Sequence, residues 1–286
     1  MGFRSKNLIL RELVMNNKEN NIKIFKDTLL QISKSKQLQE AVKNSTDKQF
    51  FLASGTTLPP IELNRFTEPA NIIVSKNSSF NAARKYKNVC VLNFASATNP
   101  GGGVDKGSSA QEECLCRCST LYLILNTPYC KEKFYTPHKE HGTPLHNDDI
   151  IYTPDVVIIK SDSYNNLFQH HKVNVITCAA PNLRETPANA YNHENGEGIK
   201  ISNAELHKLH EQRAERILNV SALTGNENLV LGAFGCGAFR NPPEVVAMAY
   251  KQVMEKFKYA FKTIEFAVYC GKDDTNYQVF NKVLGV

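Results

Sequence analysis

Between Asn93 and Tyr122 the chain reads NFASATNPGGGVDKGSSAQEECLCRCSTLY, and three kinds of chemistry compete for it. Gly101, Gly102 and Gly103 form a loop without Cβ atoms, whose backbone N–H groups can approach an anion closely. Glu112 and Glu113 offer carboxylates for proton transfer. Cys114, Cys116 and Cys118 could hold a metal. A second stretch, LVLGAFGCGAFRNPPEVV, repeats the first motif: an apolar run, a loop containing Gly232, Gly235 and Gly237, then a helix start. Two such loops at one sheet edge could grip a diphosphate from both sides, with Phe239 over an attached sugar or base. Phe234, inside the apolar run, reads as core.

Each feature has a plainer explanation. Three glycines make a tight turn, and they match neither the GxGxxG nor the GxxxxGK[ST] fingerprint. Two glutamates in the first turn of a helix favour its dipole whether or not they react. Adjacent helical residues diverge by roughly 100°, so the pair does not flank one sugar from opposite faces. One glutamate acting as acid and then base, with its neighbour orienting hydroxyls, is the chemistry that fits. The cysteines lack CxxC spacing and only Cys114 and Cys118 share a helical face, so all three are expected in the core and no metal is expected. His138, His141, His146, His170 and His171 show no metal-binding companions and are expected in loops or at the surface.

The elements that must position these residues follow from hydrophobic pattern. Short Val/Ile-rich runs at 71–76, 89–96, 156–160, 173–179, 229–234 and 264–270 read as strands buried on both faces. Helical patterns cover about 110–127, 203–224, 243–260 and 274–283. Alternation of this kind predicts layers of helices on a central sheet. Residues 128–154 read as a long irregular excursion, as does NLRETPANAYNHENGEG, and loops of that length are often functional. Residues 1–50 are expected to form a helical extension packed on a main domain spanning 51–286.

The 286 residues, 42% hydrophobic and 22% charged, suit a globular chain, and a formal charge of +6 without a dense basic block does not establish nucleic-acid binding. No apolar run is long enough for a signal or membrane span, and eight cysteines show no disulfide spacing. An intracellular, cytoplasmic monomer is expected, without contact to membrane.

The spaced GGG-x7-QEE motif, with its flanks VLNFASATNPGGG and CLCRCSTLY, resembles the poly(ADP-ribose) glycohydrolases of the compact microbial branch. GAFGCGAFRNPP, AAPNLR and the Arg213–Arg216 helix are similar to that family too, and the likeness runs from about Asn71 to the C-terminus. The resemblance implies a macrodomain fold, a three-layer α/β/α sandwich with a mixed central sheet. It implies hydrolysis of the ribose–ribose O-glycosidic bond of poly(ADP-ribose), or action on ADP-ribosylated protein, with ADP-ribose as product and no cofactor. Glu113 matches the family's catalytic carboxylate and Glu112 the neighbour that contacts ribose. Asn99, Gly101, Gly102, Gly103, Gln111, Gly235, Cys236, Gly237, Ala238 and Phe239 match its substrate-binding positions. Two alternatives share the same binding site: a hydrolase of single ADP-ribosyl groups on an acceptor, and a macrodomain that binds ADP-ribose without cleaving it. A nicotinamide-dependent oxidoreductase fits less well, for want of GxGxxG.

Overall fold

The computed structural model describes residues 2–188 and 197–285, so part of the NLRETPANAYNHENGEG excursion lies outside the described residues. Seven strands form one mixed sheet: β1 (Phe50–Leu52), β2 (Asn71–Ser75), β3 (Val89–Phe94), β4 (Ile150–Lys160), β5 (Asn166–Cys178), β6 (Asn228–Leu231) and β7 (Thr263–Ala267). Their spatial order is β1-β4-β5-β3-β6-β7-β2. The β5-β3-β6-β7-β2 block is parallel, whereas β4 runs antiparallel to both β1 and β5.

The helices are α1 (Gly2–Lys34), α2 (Lys36–Lys48), α3 (Ser79–Ala83), α4 (Gln111–Cys118), α5 (Leu121–Leu125), α6 (Pro128–Cys130), α7 (Thr136–His141), α8 (Asn203–Leu223), α9 (Pro243–Met254) and α10 (Thr275–Leu284). Side chains alternate across a strand, and the central strands divide accordingly. Cys90, Leu92, Leu229, Leu231, Ile264 and Phe266 enter the apolar layer under α8, α9 and α10. Val89, Val91, Val175 and Val230 enter the opposite layer with Phe25 of α1, Leu115 of α4 and Leu121 of α5. This is the three-layer mixed α/β arrangement expected.

Several local expectations need correction. The helix foreseen over 110–127 breaks at Ser119, which is fully extended (φ −150, ψ −179), bridges Ile158, and is followed by α5. The stretch from 128 is helical through His141, with a π-helical turn at Lys131–Tyr135 between α6 and α7. Pro128 sits in a first turn, where a missing N–H costs nothing, and Pro137 follows just after the π-helical turn. β4 begins at Ile150 and β5 at Asn166, making a longer hairpin than the apolar runs alone predict.

α1 lies against the helix that carries the glutamates. Phe25 and Ile32, seven residues apart on one helical face, are buried, which contributes about 1.5–3 kcal/mol each. The Phe25 ring meets Tyr122 edge-on at 4.9 Å. Thr28 Oγ1 donates to the Arg117 carbonyl at 2.5 Å, and Lys160 Nζ donates to Asp27 at 2.6 Å and to Thr28 at 2.8 Å. No described helix is long and apolar enough to cross a membrane.

Candidate active site

β3 ends at Phe94 and the chain turns through the first glycine loop into α4. Gly101 and Gly102 take φ of +70° and +58°, the left-handed region that side chains resist. Close contacts reinforce that requirement. A Cβ on Gly102 would stand 2.5 Å from Glu113 Oε1 and 3.2 Å from Glu112 Oε2, and one on Gly101 would meet Tyr122 at 2.8 Å. Both carboxylates therefore converge on this loop despite leaving the helix in different directions.

Gln111 fixes where α4 starts. Its side-chain amide donates to Leu92 O at 2.8 Å and Ser79 Oγ at 3.0 Å, and its carbonyl accepts from Phe94 N at 2.9 Å. The side chain thus laces α4 to the end of β3. Glu112, 2% exposed, accepts from Ser96 N at 2.8 Å and Asn93 Nδ2 at 3.2 Å. Burial first, and the Glu113 charge second, push its carboxyl up to about 8, against hydrogen bonds from Ser96, Asn93 and the Gly101 backbone. Glu113, 8% exposed, accepts from Gly103 N at 2.9 Å through Oε1. Its Oε2 is buried without a donor among the described residues.

The first loop's amides are all engaged. Gly101 N–H serves Glu112, Gly102 N–H goes to Asn99 O, Gly103 N–H to Glu113 and Val104 N–H to Gly101 O. The amides that a two-sided diphosphate grip would draw from this loop already hold the carboxylates and the turn.

The second loop differs. Asn241, 2% exposed, is its anchor. The side-chain amide donates to Pro181 O at 2.7 Å and Gly235 O at 3.0 Å, and the backbone N–H donates to Gly235 O at 3.0 Å. Asn241 Oδ1 accepts from His210 Nε2 at 2.9 Å. Burial lowers the His210 pKa to about 4, so the ring is neutral and its single N–H points at Asn241. Gly235 (φ +77°) fits only without a side chain, since a Cβ would lie 2.7 Å from both Ala180 and Asn241. Among the described residues, nothing accepts the backbone amides of Gly235, Gly237, Ala238 and Phe239. A Cβ on Gly237 would meet nothing within 4 Å.

A cavity of about 910 Å³ lies between the two loops. Of the expected site residues it is lined by Gly102, Gly103, Gln111, Glu112, Glu113, Gly235, Gly237, Ala238 and Phe239. Asn99, Gly101 and Cys236 are not among its lining residues, and Asn99 shapes the turn through its backbone carbonyl. Phe234 is fully buried, as expected of core. Phe239 is half-buried, with the His146 ring 5.9 Å away and the Arg184 guanidinium 5.9 Å over its face.

The chain matches the profile of the microbial-type PARG catalytic domain over residues 12–161, more than half of its length. It belongs to that family. PARG denotes poly(ADP-ribose) glycohydrolase, and membership makes the chain a hydrolase of that class. The match begins well ahead of Asn71, so the family likeness takes in most of α1. Solved relatives agree. The PARG from Thermomonospora curvata bound to the inhibitor ADP-HPD is 26% identical with a TM-score of 0.78, covering 92% of this chain and 99% of that one. The PARG from Deinococcus radiodurans in complex with ADP-ribose is 30% identical with a TM-score of 0.71, covering 85% of this chain and 96% of that one. No curated protein sequence matches the chain.

Beside this PARG-type centre, two expectations fail. Cys116 and Cys118 are buried, but Cys114 is half-buried and lines the cavity, its Sγ 3.2 Å from Arg117 Nη2. His138 is not a surface residue: it is 6% exposed and bridges Phe134 O at 2.8 Å and Asn147 Oδ1 at 2.9 Å. The His141 side chain lies outside the described residues. Among the described residues, no three His, Cys, Asp or Glu gather as metal ligands. Arg213 and Arg216 clamp loop carbonyls at Leu145, Asn147, Ala53 and Thr56, behind the site. Sequence reasoning missed Asn93, Asn241, Arg184 and Tyr164. A signal existed for Asn93, a lone amide inside the apolar run VCVLNF, and for Asn241, an amide between a glycine loop and a Pro-Pro helix start.

Proposed function

We propose that Glu113 is the acid and then the base in cleavage of the ribose–ribose bond of poly(ADP-ribose), and that ADP-ribose is seated by its diphosphate on the second glycine loop. The observation that carries the reading is the Glu113 carboxylate. One oxygen is held by Gly103 N–H, and the other is buried, meets no donor among the described residues and belongs to a residue lining the cavity. That leaves Oε2 to the substrate.

The free amides of Gly237, Ala238 and Phe239 suit an anion, since charge-assisted hydrogen bonds to backbone N–H are the strong ones. Phe239 supplies a ring for the ribose next to the scissile bond. Burial first, and the Glu113 charge second, let Glu112 keep a proton at neutral pH, which lessens the negative charge that a diphosphate meets in the cavity. The step asks Glu113 to carry its proton on Oε2, the oxygen that meets no donor among the described residues. The bond from the anomeric carbon to the leaving ribose oxygen breaks, and that oxygen takes the proton. The Glu113 carboxylate then takes a proton from water as the water oxygen bonds the anomeric carbon. The products are ADP-ribose and a chain one unit shorter, and Glu113 ends protonated as it began. Glu112, held by Ser96 and Asn93, keeps the ribose hydroxyls in place.

Incubation with ADP-ribose chains of defined length and with mono-ADP-ribosylated protein, followed by product identification, tests the reading. Free ADP-ribose released from chains is the expected result. Tight ADP-ribose binding without release from either substrate would reduce the protein to a binding module.

A further inference from the structure

Helix α1 contributes a side chain to the same cavity. Lys18 is half-buried and lines it together with Ser108, Ser109 and Tyr164. The helix cannot drift at this point. A Cβ on Gly107 would collide with the Lys18 carbonyl, so loop and helix touch backbone to backbone. Asn21 Nδ2 donates to Gly107 O at 3.0 Å one turn further on. Arg117 holds the neighbouring wall by donating to Ser108 O and, at 3.2 Å, to Tyr164 OH. Lys18 therefore stands on a rigid support.

The cations among the described lining residues are Lys18 and Arg184. They come from opposite faces of the sheet. Arg184 lies over Phe239, on the side of the second loop and α9. Lys18 comes from the layer that holds α4, the helix that carries Glu112 and Glu113. One ADP-ribose seated on the second loop has one diphosphate, and Arg184, whose guanidinium already donates to Asn182 Oδ1 at 3.1 Å and to Pro187 O, stands on that side. The leaving group must depart on the side of the scissile bond away from the second loop, and Lys18 is the lining cation on the wall opposite that loop. A leaving polymer unit brings a second diphosphate, whereas a single ADP-ribosyl group leaves an acceptor side chain without one.

We propose that Lys18 is a specificity-determining residue that receives the diphosphate of the leaving polymer unit, and so favours chains over single ADP-ribosyl groups. This rests on the seating proposed above. An ammonium serves as a mobile point charge for a phosphate, and long-range attraction along the cleft adds to capture of a polyanion.

The test compares two substrates in wild type, Lys18→Ala, Lys18→Glu and Lys18→Arg. One is poly(ADP-ribose) of defined length; the other is ADP-ribose carrying a neutral fluorogenic aryl group on the same anomeric carbon. Loss of one charged hydrogen bond corresponds to roughly tenfold or more in kcat/KM. Lys18→Ala is expected to lose about that on the polymer and several-fold less on the aryl substrate. Lys18→Glu loses more on the polymer, and Lys18→Arg recovers most of the rate. The log–log salt dependence on polymer becomes shallower by roughly one for Lys18→Ala, as for a lost phosphate contact. Equal losses on both substrates, or an unchanged polymer rate, overturn the assignment while leaving the seating intact. A wild-type protein that releases ADP-ribose from neither substrate overturns the seating with it.

Discussion

The two glycine loops follow neighbouring strands, β3 and β6, and both lead into helices, yet they turn their amides in opposite directions. The Gly101–Gly103 loop points its N–H groups inward, to Glu112, Glu113 and its own turn. The Gly235–Phe239 loop is tied from behind by Asn241, and leaves the amides of Gly235, Gly237, Ala238 and Phe239 without acceptors among the described residues. The same residue type meets two demands. In the first loop glycine is needed because carboxylates press against it; in the second, Gly237 faces open space, which the proposed seating gives to the ligand. A glycine-rich turn beside a helix start is therefore not by itself a phosphate cradle, and the destination of its amides decides.

Substitutions can break or sharpen that contrast. The largest effect is expected from Gly102→Ala. A methyl group there displaces Glu113, and misplacement by about 1 Å can cost roughly 100-fold in rate. ADP-ribose affinity, measured by calorimetry, should stay within a few-fold of wild type. A variant that loses affinity and keeps its rate would reverse the roles of the loops. Next comes Gly237→Val. The site has room for the side chain and an ordinary φ, so the fold should survive with an unchanged melting temperature. The side chain shields the free amides, and losing one charge-assisted hydrogen bond weakens ADP-ribose binding about tenfold or more. Unchanged affinity would leave the second loop without its task.

The smallest effect concerns stability. Glu112 titrates at about 8 in the fold against 4.5 ordinarily. Between these values the folded state holds a proton that the unfolded state has released, so stability falls as pH rises through the window. Glu112→Gln removes that penalty. Its melting temperature should exceed wild type by a few degrees near pH 8, and by less near pH 5. A variant less stable than wild type at both values would mean that the hydrogen bonds from Ser96 and Asn93 outweigh the cost of the buried charge.

Much of this was legible in the sequence. β3 and β6 announce themselves because both faces are buried, so nearly every residue is apolar, and β7 does so through Ile264, Phe266 and Ala267 despite Thr263 and Glu265. The paired glutamates and glycines were legible because their chemistry needs those types at close spacing. β1 was not, since three half-buried residues carry no period. The β4–β5 hairpin was read too short, because Pro154 and Asp155 interrupt the apolar run and Asp155 takes φ +57° beside a bulge. Cys114 was assigned to the core from its residue type, but its place on α4 turns it to the cavity. Lys18 could not be found from local pattern at all, because only tertiary packing brings α1 to Gly107.

The most direct test of the central claim, that the first loop arms an acid while the second seats the ligand, is Glu113→Gln assayed for both properties in one preparation. Glutamine keeps the shape of the carboxylate and can still accept from Gly103 N–H, but it cannot deliver a proton. The account predicts chain cleavage lowered by roughly 10²–10⁴-fold or more, with the dissociation constant for ADP-ribose within a few-fold of wild type. Near wild-type cleavage, or a loss of affinity as large as the loss of rate, would contradict it.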